Sequence, residues 1–315
     1  MIPVHLNFTG ADRARRAALY RGELFNYSPS PAAEAFAAFA RGLVEEAFDG
    51  VEPRTAQNTM PVERFVEILA ELKPKFIHHP ESKVLLRALL EEHGCNLEQT
   101  YFDVPRLRSS TSHGYLTSGI AYAWHPHRDT WYSAPRQQLN YWFPVYEIEA
   151  GNGMAFHLDH FDTPVANDSA KYNYYQWNLL HRRAAASNVK KDDRPLPGPT
   201  EEVDVSNSLT LVAPPGGVMI FSSQHLHSSV PNMTGKTRFS IDFRTVHIGD
   251  IEAGKGAPLV DADCTGSAIR DYIRASDFAP MPEHIVELFN DGTENGGELL
   301  YEENRKRLRS EHAAG

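Results

Sequence analysis

The chain has 315 residues, 41% of them hydrophobic and 23% charged, which excludes a disordered, collagen-like or coiled-coil protein. Lys and Arg number 31 against 41 Asp and Glu, a formal charge of -10 with no basic stripe, so nucleic acid is not expected as a partner. Two distant cysteines, Cys95 and Cys264, imply neither a disulfide framework nor a zinc ribbon, and no apolar run reaches the ~18 residues of a membrane span. A cytoplasmic protein with no membrane partner is the expectation; oligomeric state is not legible.

The first hundred residues favour helix. Ser30-Pro31 reads as an N-cap with proline in the first turn, followed by Phe36, Phe39, Leu43, Val44 and Ala47 at helical spacing. A second helix is predicted over 61–72, with Phe65, Ile68, Leu69 and Leu72 on one face. A third is predicted over 80–93, closed by Gly94. From Tyr101 short runs rich in aromatic and β-branched residues take over, at 115–124, 138–148, 208–213, 218–222 and 238–248. That texture predicts a mainly β fold with flanking helices, an antiparallel sandwich or jelly roll. Helical signal returns around 166–186 and in 267–275, 282–289 and 297–309. The whole chain reads as one domain: a helical part over about 12–99, a β core over about 100–248 and a helical part over about 265–312. The core is interrupted by a polar insertion at 162–203, which carries Tyr172, Tyr174, Tyr175 and Trp177 and reads as a lid over a small-molecule substrate.

With 15 histidines, only spacing singles one out. His127 and Asp129 lie two apart at the end of a predicted strand, so both side chains can reach one ion. An imidazole and a carboxylate suit a borderline divalent metal, and a redox iron needs a third ligand plus open positions. The run from Met219 through His225 and His227 to Pro231-Asn232 offers that ligand; a Gly-containing turn then leads to a strand headed by Arg238. If the two strands pair as a hairpin, Arg238 returns beside the histidine. His125 and His225 compete as ligands, and His125-Pro126-His127-Arg128-Asp129 also resembles the HxHxD of metal-dependent hydrolases, although Thr130 stands where their final histidine belongs. A non-catalytic cupin-like metal binder is a further alternative.

His127-Arg128-Asp129, then Leu226-His227-Ser228-Ser229-Val230-Pro231-Asn232, then Arg238 eleven positions after His227, resembles the iron(II)/2-oxoglutarate dioxygenases. The likeness is greatest to their phytanoyl-CoA-hydroxylase-like branch, which includes ectoine hydroxylase, and spans roughly residues 100–248. It implies a double-stranded β-helix (a cupin-like jelly roll) and the cofactors Fe(II), 2-oxoglutarate and O2. It implies His127, Asp129 and His227 as metal ligands and Arg238 as the partner of the far carboxylate of 2-oxoglutarate. A guanidinium grips a carboxylate through two parallel hydrogen bonds. Ser240 and Ser229 are candidates to add hydroxyls there. The implied reaction hydroxylates a substrate C–H bond and releases succinate and CO2; the carboxylate at 129 argues against halogenation.

For the substrate pocket, strand alternation puts Gln138, Asn140 and Trp142 on one face, and buried polar groups there need partners. Asn140, Gln138, Trp131 and Arg244 are the substrate-binding candidates, with Trp131 and Tyr132 expected at the mouth. His157, His160, Met154 and the aromatics of 172–177 are placed near the substrate without a basis for choosing among them. A small polar metabolite or amino-acid derivative is the expected substrate.

Overall fold

The structure, a computed structural model, describes residues 2–117, 125–181 and 194–293. The chain opens with β1 (Val4–Leu6) and α1 (Asp12–Leu19) and continues in β2 (Leu24–Tyr27), which pairs in parallel with β1. Three helices follow, α2 (Pro31–Phe48), α3 (Val62–His78) and α4 (Pro80–Glu92). Helix α2 starts at the predicted proline, but the Ser30 hydroxyl makes no capping bond, so proline geometry and the buried face of Phe36, Leu43 and Val44 set the start. Helix α3 runs past the predicted end at Leu72 and through Pro74. Proline inside a helix costs about 3 kcal/mol. Continuing it buries Phe76 completely, stacked on Phe36 at 5.9 Å between ring centroids, and that packing offsets the loss. Gly94 closes α4 at φ +70°, a conformation that glycine adopts without strain.

Beyond α4 come β3 (Thr100–Phe102), β4 (Arg106–Ser110), β5 (Leu139–Pro144) and β6 (Met154–His157). Then follow α5 (Tyr174–Leu180), β7 (Ser208–Leu211), β8 (Val218–Ser222) and β9 (His227–Ser229). The described chain closes with β10 (Arg238–His247), α6 (Ile248–Glu252), β11 (Ile273–Arg274) and α7 (Glu283–Val286). Eight strands form one sheet in the order β1-β2-β8-β5-β10-β3-β11, with β4 also paired to β10, and β7-β6-β9 form a second. The architecture is therefore sheet-rich with flanking helices, and among the described residues the two sheets remain separate rather than closing into a barrel.

Alternation along β10 organises the layers. Phe239, Ile241 and Phe243 turn to the helices, where Phe48 and Phe36 meet the sheet through Phe239 and Phe143. Arg238, Ser240, Asp242 and Arg244 turn the other way, toward the small sheet. A cluster of Leu24, Trp142, Met154, Phe156, Met219 and Phe221 joins the two sheets.

Several expectations are corrected. His227 and Arg238 do not share a hairpin: β9 pairs with β6 in the small sheet, whereas β10 pairs with β5, β4 and β3. No strand begins at Tyr115–Thr117, and the rest of that predicted strand, 118–124, lies outside the described residues. The helix predicted over 267–275 is a 3₁₀ turn at Ile269–Asp271 followed by β11, because the edge of β3 accepts its backbone and both Tyr272 and Ile273 are buried. Among the described residues of the 166–186 region, only Tyr174–Leu180 is α-helical, capped by Asn173, whose Oδ1 accepts from the Tyr175 and Gln176 amides; 182–186 lie outside the described residues. The 282–289 helix is a short α7 and a 3₁₀ turn at Glu287–Phe289; the helix predicted over 297–309 lies outside the described residues. Among the described residues no helix is long and apolar enough to cross a membrane.

Candidate active site

A cavity of about 390 Å³ lies between the sheets. On its wall His127 and His227 exchange backbone hydrogen bonds, each N–H donating to the other's carbonyl at 3.0 Å, which brings the rings to 4.3 Å between centroids. Asp129 Oδ1 lies 3.7 Å from His127 Nε2. One nitrogen or oxygen from each of His127, Asp129 and His227 falls within 4.8 Å of the others, and among the described residues no other group of three metal-ligating side chains comes together. These two histidines and one carboxylate can hold a divalent metal ion and leave positions on one side for other ligands.

The backbone sets the tautomers. The Nδ1 of His127 lies 3.2 Å from the His125 carbonyl and the Nδ1 of His227 lies 2.9 Å from the His225 carbonyl. A carbonyl only accepts, so each Nδ1 carries the proton and each Nε2 offers a lone pair. Burial, reinforced by His227, holds His127 well below the ordinary imidazole range and keeps it neutral. Burial raises the Asp129 carboxyl, with His227 and the Asn140 amide acting against it. A divalent cation at this point would hold it ionised.

Asp129 is oriented through its second oxygen. Asn140 Nδ2 donates to Oδ2 at 2.8 Å and Gln138 Nε2 at 3.1 Å, while Arg244 Nε lies 3.7 Å away. Oδ2 is thereby engaged and Oδ1 faces the histidines. Gln138 and Asn140 line the cavity, as expected of a pocket, but their amides are committed to Asp129 rather than presented to a substrate. The turn bearing Asp129 is tied down from behind. Arg128 is fully buried and donates to Asp261 Oδ2 and to the carbonyls of Gln224, His160 and Thr163.

Trp131 does not sit at the mouth. It is fully buried with Val165 and Leu226, donates through Nε1 to Asp261 Oδ1 at 2.8 Å, and is not part of the cavity lining. The 3₁₀ turn Asp129–Tyr132 rotates Trp131 inward and leaves Tyr132 on the cavity wall. His225 packs among Phe156, Phe161 and Phe221, outside the ligand group, and His125 is outside it as well. His157 bonds Ser208 and Ser228, and His160 meets the Asp204 carbonyl. From the predicted lid, Tyr172, Tyr174 and Trp177 reach the cavity; 182–193 lie outside the described residues.

Arg238 reaches the same cavity from the large sheet. Its Nη1 donates to the carbonyls of Asn152 and Gly153 at 2.8 and 2.7 Å, and its Nη2 to Ser229 Oγ at 2.9 Å. The guanidinium lies 5.4 Å from the Trp142 ring centroid. Burial pushes it down to about 10, so it stays charged at neutral pH. Arg238 Nε and Ser240 Oγ are both buried with no hydrogen-bond partner. A buried orphan donor costs about 1–3 kcal/mol, and an anionic oxygen that reached the Arg238 Nε from the cavity would remove that cost.

Several cavity residues were not singled out from sequence: Lys73, Asp103, Arg106, Arg108 and Asp242. A signal existed for the strand members. Arg106 and Arg108 on β4, and likewise Arg238, Ser240, Asp242 and Arg244 on β10, place polar groups at every second position of their strands. Lys73 had none, since it borders the apolar stripe of a helix and reads as an ordinary solvated lysine.

No protein-family model matches the chain, and no curated protein matches it in sequence. Among solved structures, EvdO2 from Micromonospora carbonacea var. aurantiaca, in complex with 2-oxoglutarate, is similar over 76% of this chain and 93% of its own. It shares 14% identity at a TM-score of 0.42. The epimerase SnoN, in complex with Fe3+, alpha ketoglutarate and nogalamycin RO, is similar over 74% of this chain and 83% of its own (15% identity, TM-score 0.39). AviO1 from Streptomyces viridochromogenes covers 80% of this chain over its full length (15%, 0.38). Similarity this distant decides neither fold nor function, and the chemistry rests on this chain's own residues.

Proposed function

We propose that the protein is a cytoplasmic, single-domain Fe(II)/2-oxoglutarate-dependent oxygenase of jelly-roll type that hydroxylates a C–H bond of a small polar metabolite or amino-acid derivative. One observation carries the reading. A two-histidine, one-carboxylate group shares its cavity with a buried arginine whose Nε has no hydrogen-bond partner, and Ser240, two residues on in β10, leaves its buried Oγ without one too. The Leu226–Asn232 motif and the Arg238 spacing support the phytanoyl-CoA-hydroxylase-like branch.

In this reading His127, Asp129 and His227 hold iron, while Arg238 and Ser240 take the far carboxylate of 2-oxoglutarate, with Ser229 fixing one arm of the arginine. Bound iron supplies oxygen activation coupled to decarboxylation of 2-oxoglutarate. The chain's own contribution is positioning. The His125 and His225 carbonyls aim two lone pairs at one point, and the Gln138 and Asn140 amides turn one carboxylate oxygen toward it. A metal binder without turnover would not need the buried orphan pair on β10, and a hydrolase built on His125 lacks its ligand set. Anaerobic addition of Fe(II) and 2-oxoglutarate tests the reading: a weak visible charge-transfer band is expected, and its absence would sink it.

A further inference from the structure

Tyr132, Tyr172 and Trp177 form a run of rings along the cavity wall, starting at the metal-binding group. Tyr132 meets His127 at 5.8 Å between ring centroids, Tyr172 meets Tyr132 edge to face at 5.4 Å, and Trp177 lies 6.3 Å from Tyr172. The polar atoms of this wall are not equally committed. The Tyr132 hydroxyl donates to the Pro197 carbonyl at 2.9 Å and the neighbouring Tyr174 hydroxyl is engaged by Asp271, so these side chains offer rings. Trp177 differs: its Nε1 is buried and has no hydrogen-bond partner among the described residues. An indole N–H donates and cannot accept, so an acceptor must be brought to it.

The short helix α5 holds that orphan donor in place. Asn173 Nδ2 donates to Thr265 Oγ1 at 2.9 Å, and the Thr265 amide and carbonyl bond the backbones of Tyr172 and Tyr174 at 3.0 and 3.1 Å. Trp177 follows one turn after Asn173, its amide on the Asn173 carbonyl at 2.9 Å, and Arg194 packs 5.8 Å from its ring centroid. Burial of apolar surface does not explain the choice of residue. Leu179 and Leu180 of the same helix are left exposed while the indole, which carries a donor, is turned into the wall.

We propose that Trp177 is a specificity-determining residue: the substrate carries a flat ring with a carbonyl or ether oxygen, the oxygen accepting from Trp177 Nε1 and the ring lying against Tyr132 and Tyr172. A single placed donor on an otherwise aromatic wall fixes a ligand's orientation. Tyr132 and Tyr172 stand between Trp177 and His127 along this wall, so the contact positions the substrate and takes no part in the chemistry. The proposal deepens the oxygenase reading and rests on it for which bond reacts, not for the contact at Trp177.

The test titrates two flat bicyclic probes, 1-indanone and its oxygen-free counterpart indane, into the full chain with 15N-labelled indoles. Zn(II), as a diamagnetic stand-in, and 2-oxoglutarate are present in one series and absent in a second. 1-Indanone is expected to move the Trp177 indole proton downfield and to bind more tightly than indane by the margin of one neutral hydrogen bond, roughly 2–12-fold. Trp177→Phe keeps a flat ring and removes the donor. It should lower 1-indanone affinity to that of indane and leave indane binding unchanged. Equal affinity of the two probes for the wild type, no binding of either, or an indole proton that indane moves as far as 1-indanone overturns the proposal. So does a ketone preference that survives in Trp177→Phe; if that variant does not fold, the wild-type shift and margin decide alone. A missing Fe(II)–2-oxoglutarate band counts against the oxygenase reading alone, because the probe margin is also read without metal and cosubstrate.

Discussion

The Tyr272 hydroxyl donates to Gln138 Oε1 at 2.7 Å and thereby orients a carboxylate that Tyr272 does not touch. With its oxygen engaged, the Gln138 amide must point its NH2 at Asp129 Oδ2 and Asn140 Oδ1. Burial raises the Tyr272 phenol well above its ordinary range, so it remains a donor at any pH the fold survives. Tyr272→Phe frees the amide to flip, and metal affinity is expected to fall roughly 10–100-fold with little change in stability. Titration with Mn(II), followed by loss of its free EPR signal, measures this; an unchanged affinity would mean that Asn140 alone orients Asp129.

The three-residue group makes a sharper claim. His127→Ala, Asp129→Ala and His227→Ala should each abolish tight Fe(II) binding while retaining the native circular dichroism. His225→Ala should keep the metal, because the His225 ring packs among phenylalanines rather than in the group. It should be less stable by about 1–3 kcal/mol, since it removes fully buried packing. If His225→Ala loses iron and His227→Ala keeps it, the ligand assignment is reversed.

Arg238 has two duties that substitutions can separate. Arg238→Lys keeps a charge but loses the fork that joins the Asn152 and Gly153 carbonyls to Ser229. Both substitutions should lower 2-oxoglutarate affinity; for Arg238→Ala the loss should be about 2–5 kcal/mol, of the size seen when one member of a buried charge pair is truncated. Iron binding should survive both. Equal 2-oxoglutarate affinity in wild type and Arg238→Ala would assign the arginine to sheet-to-sheet bracing alone.

Arg128 and Asp261 form the buried hub behind the metal-binding turn, with Trp131 Nε1 and the Val165 amide also donating to Asp261. Arg128→Met strands that carboxylate and three carbonyls, and should cost roughly 3–5 kcal/mol in chemical denaturation. Adding Asp261→Asn should recover part of the loss, because the stranded charge is then gone. Full additivity of the two changes would contradict the hub.

What the sequence disclosed followed the strength of its local signals. The strands β7, β8 and β10 emerged within a few residues because apolar runs bounded by Gly, Pro and Asn have one extended reading. His127, Asp129, His227 and Arg238 were legible because strand geometry and motif spacing constrain them together. The hairpin was not, since pairing depends on which edges are available, and β6 takes the edge of β9. Trp131 was misplaced because a 3₁₀ turn replaces the two-residue alternation of a strand directly after Asp129. The short strands β1, β3, β9 and β11 have two or three residues each, too few to show a period.

Strand β10 also acts as a ruler. Arg238 stands at one end of its inner face and Arg244, beside Asp129, six residues further on. At about 3.3 Å per residue the backbone fixes that span at roughly 20 Å, whatever side chains surround it. A slip of one residue against β4 and β5 would not shift the face but replace it, turning Phe239, Ile241 and Phe243 into the cavity and four polar side chains into the helical layer. Descendants of this chain can therefore acquire new substrates through α3, α5 and the turn at Tyr132, whereas any insertion within β10 would cost them the site and the core together.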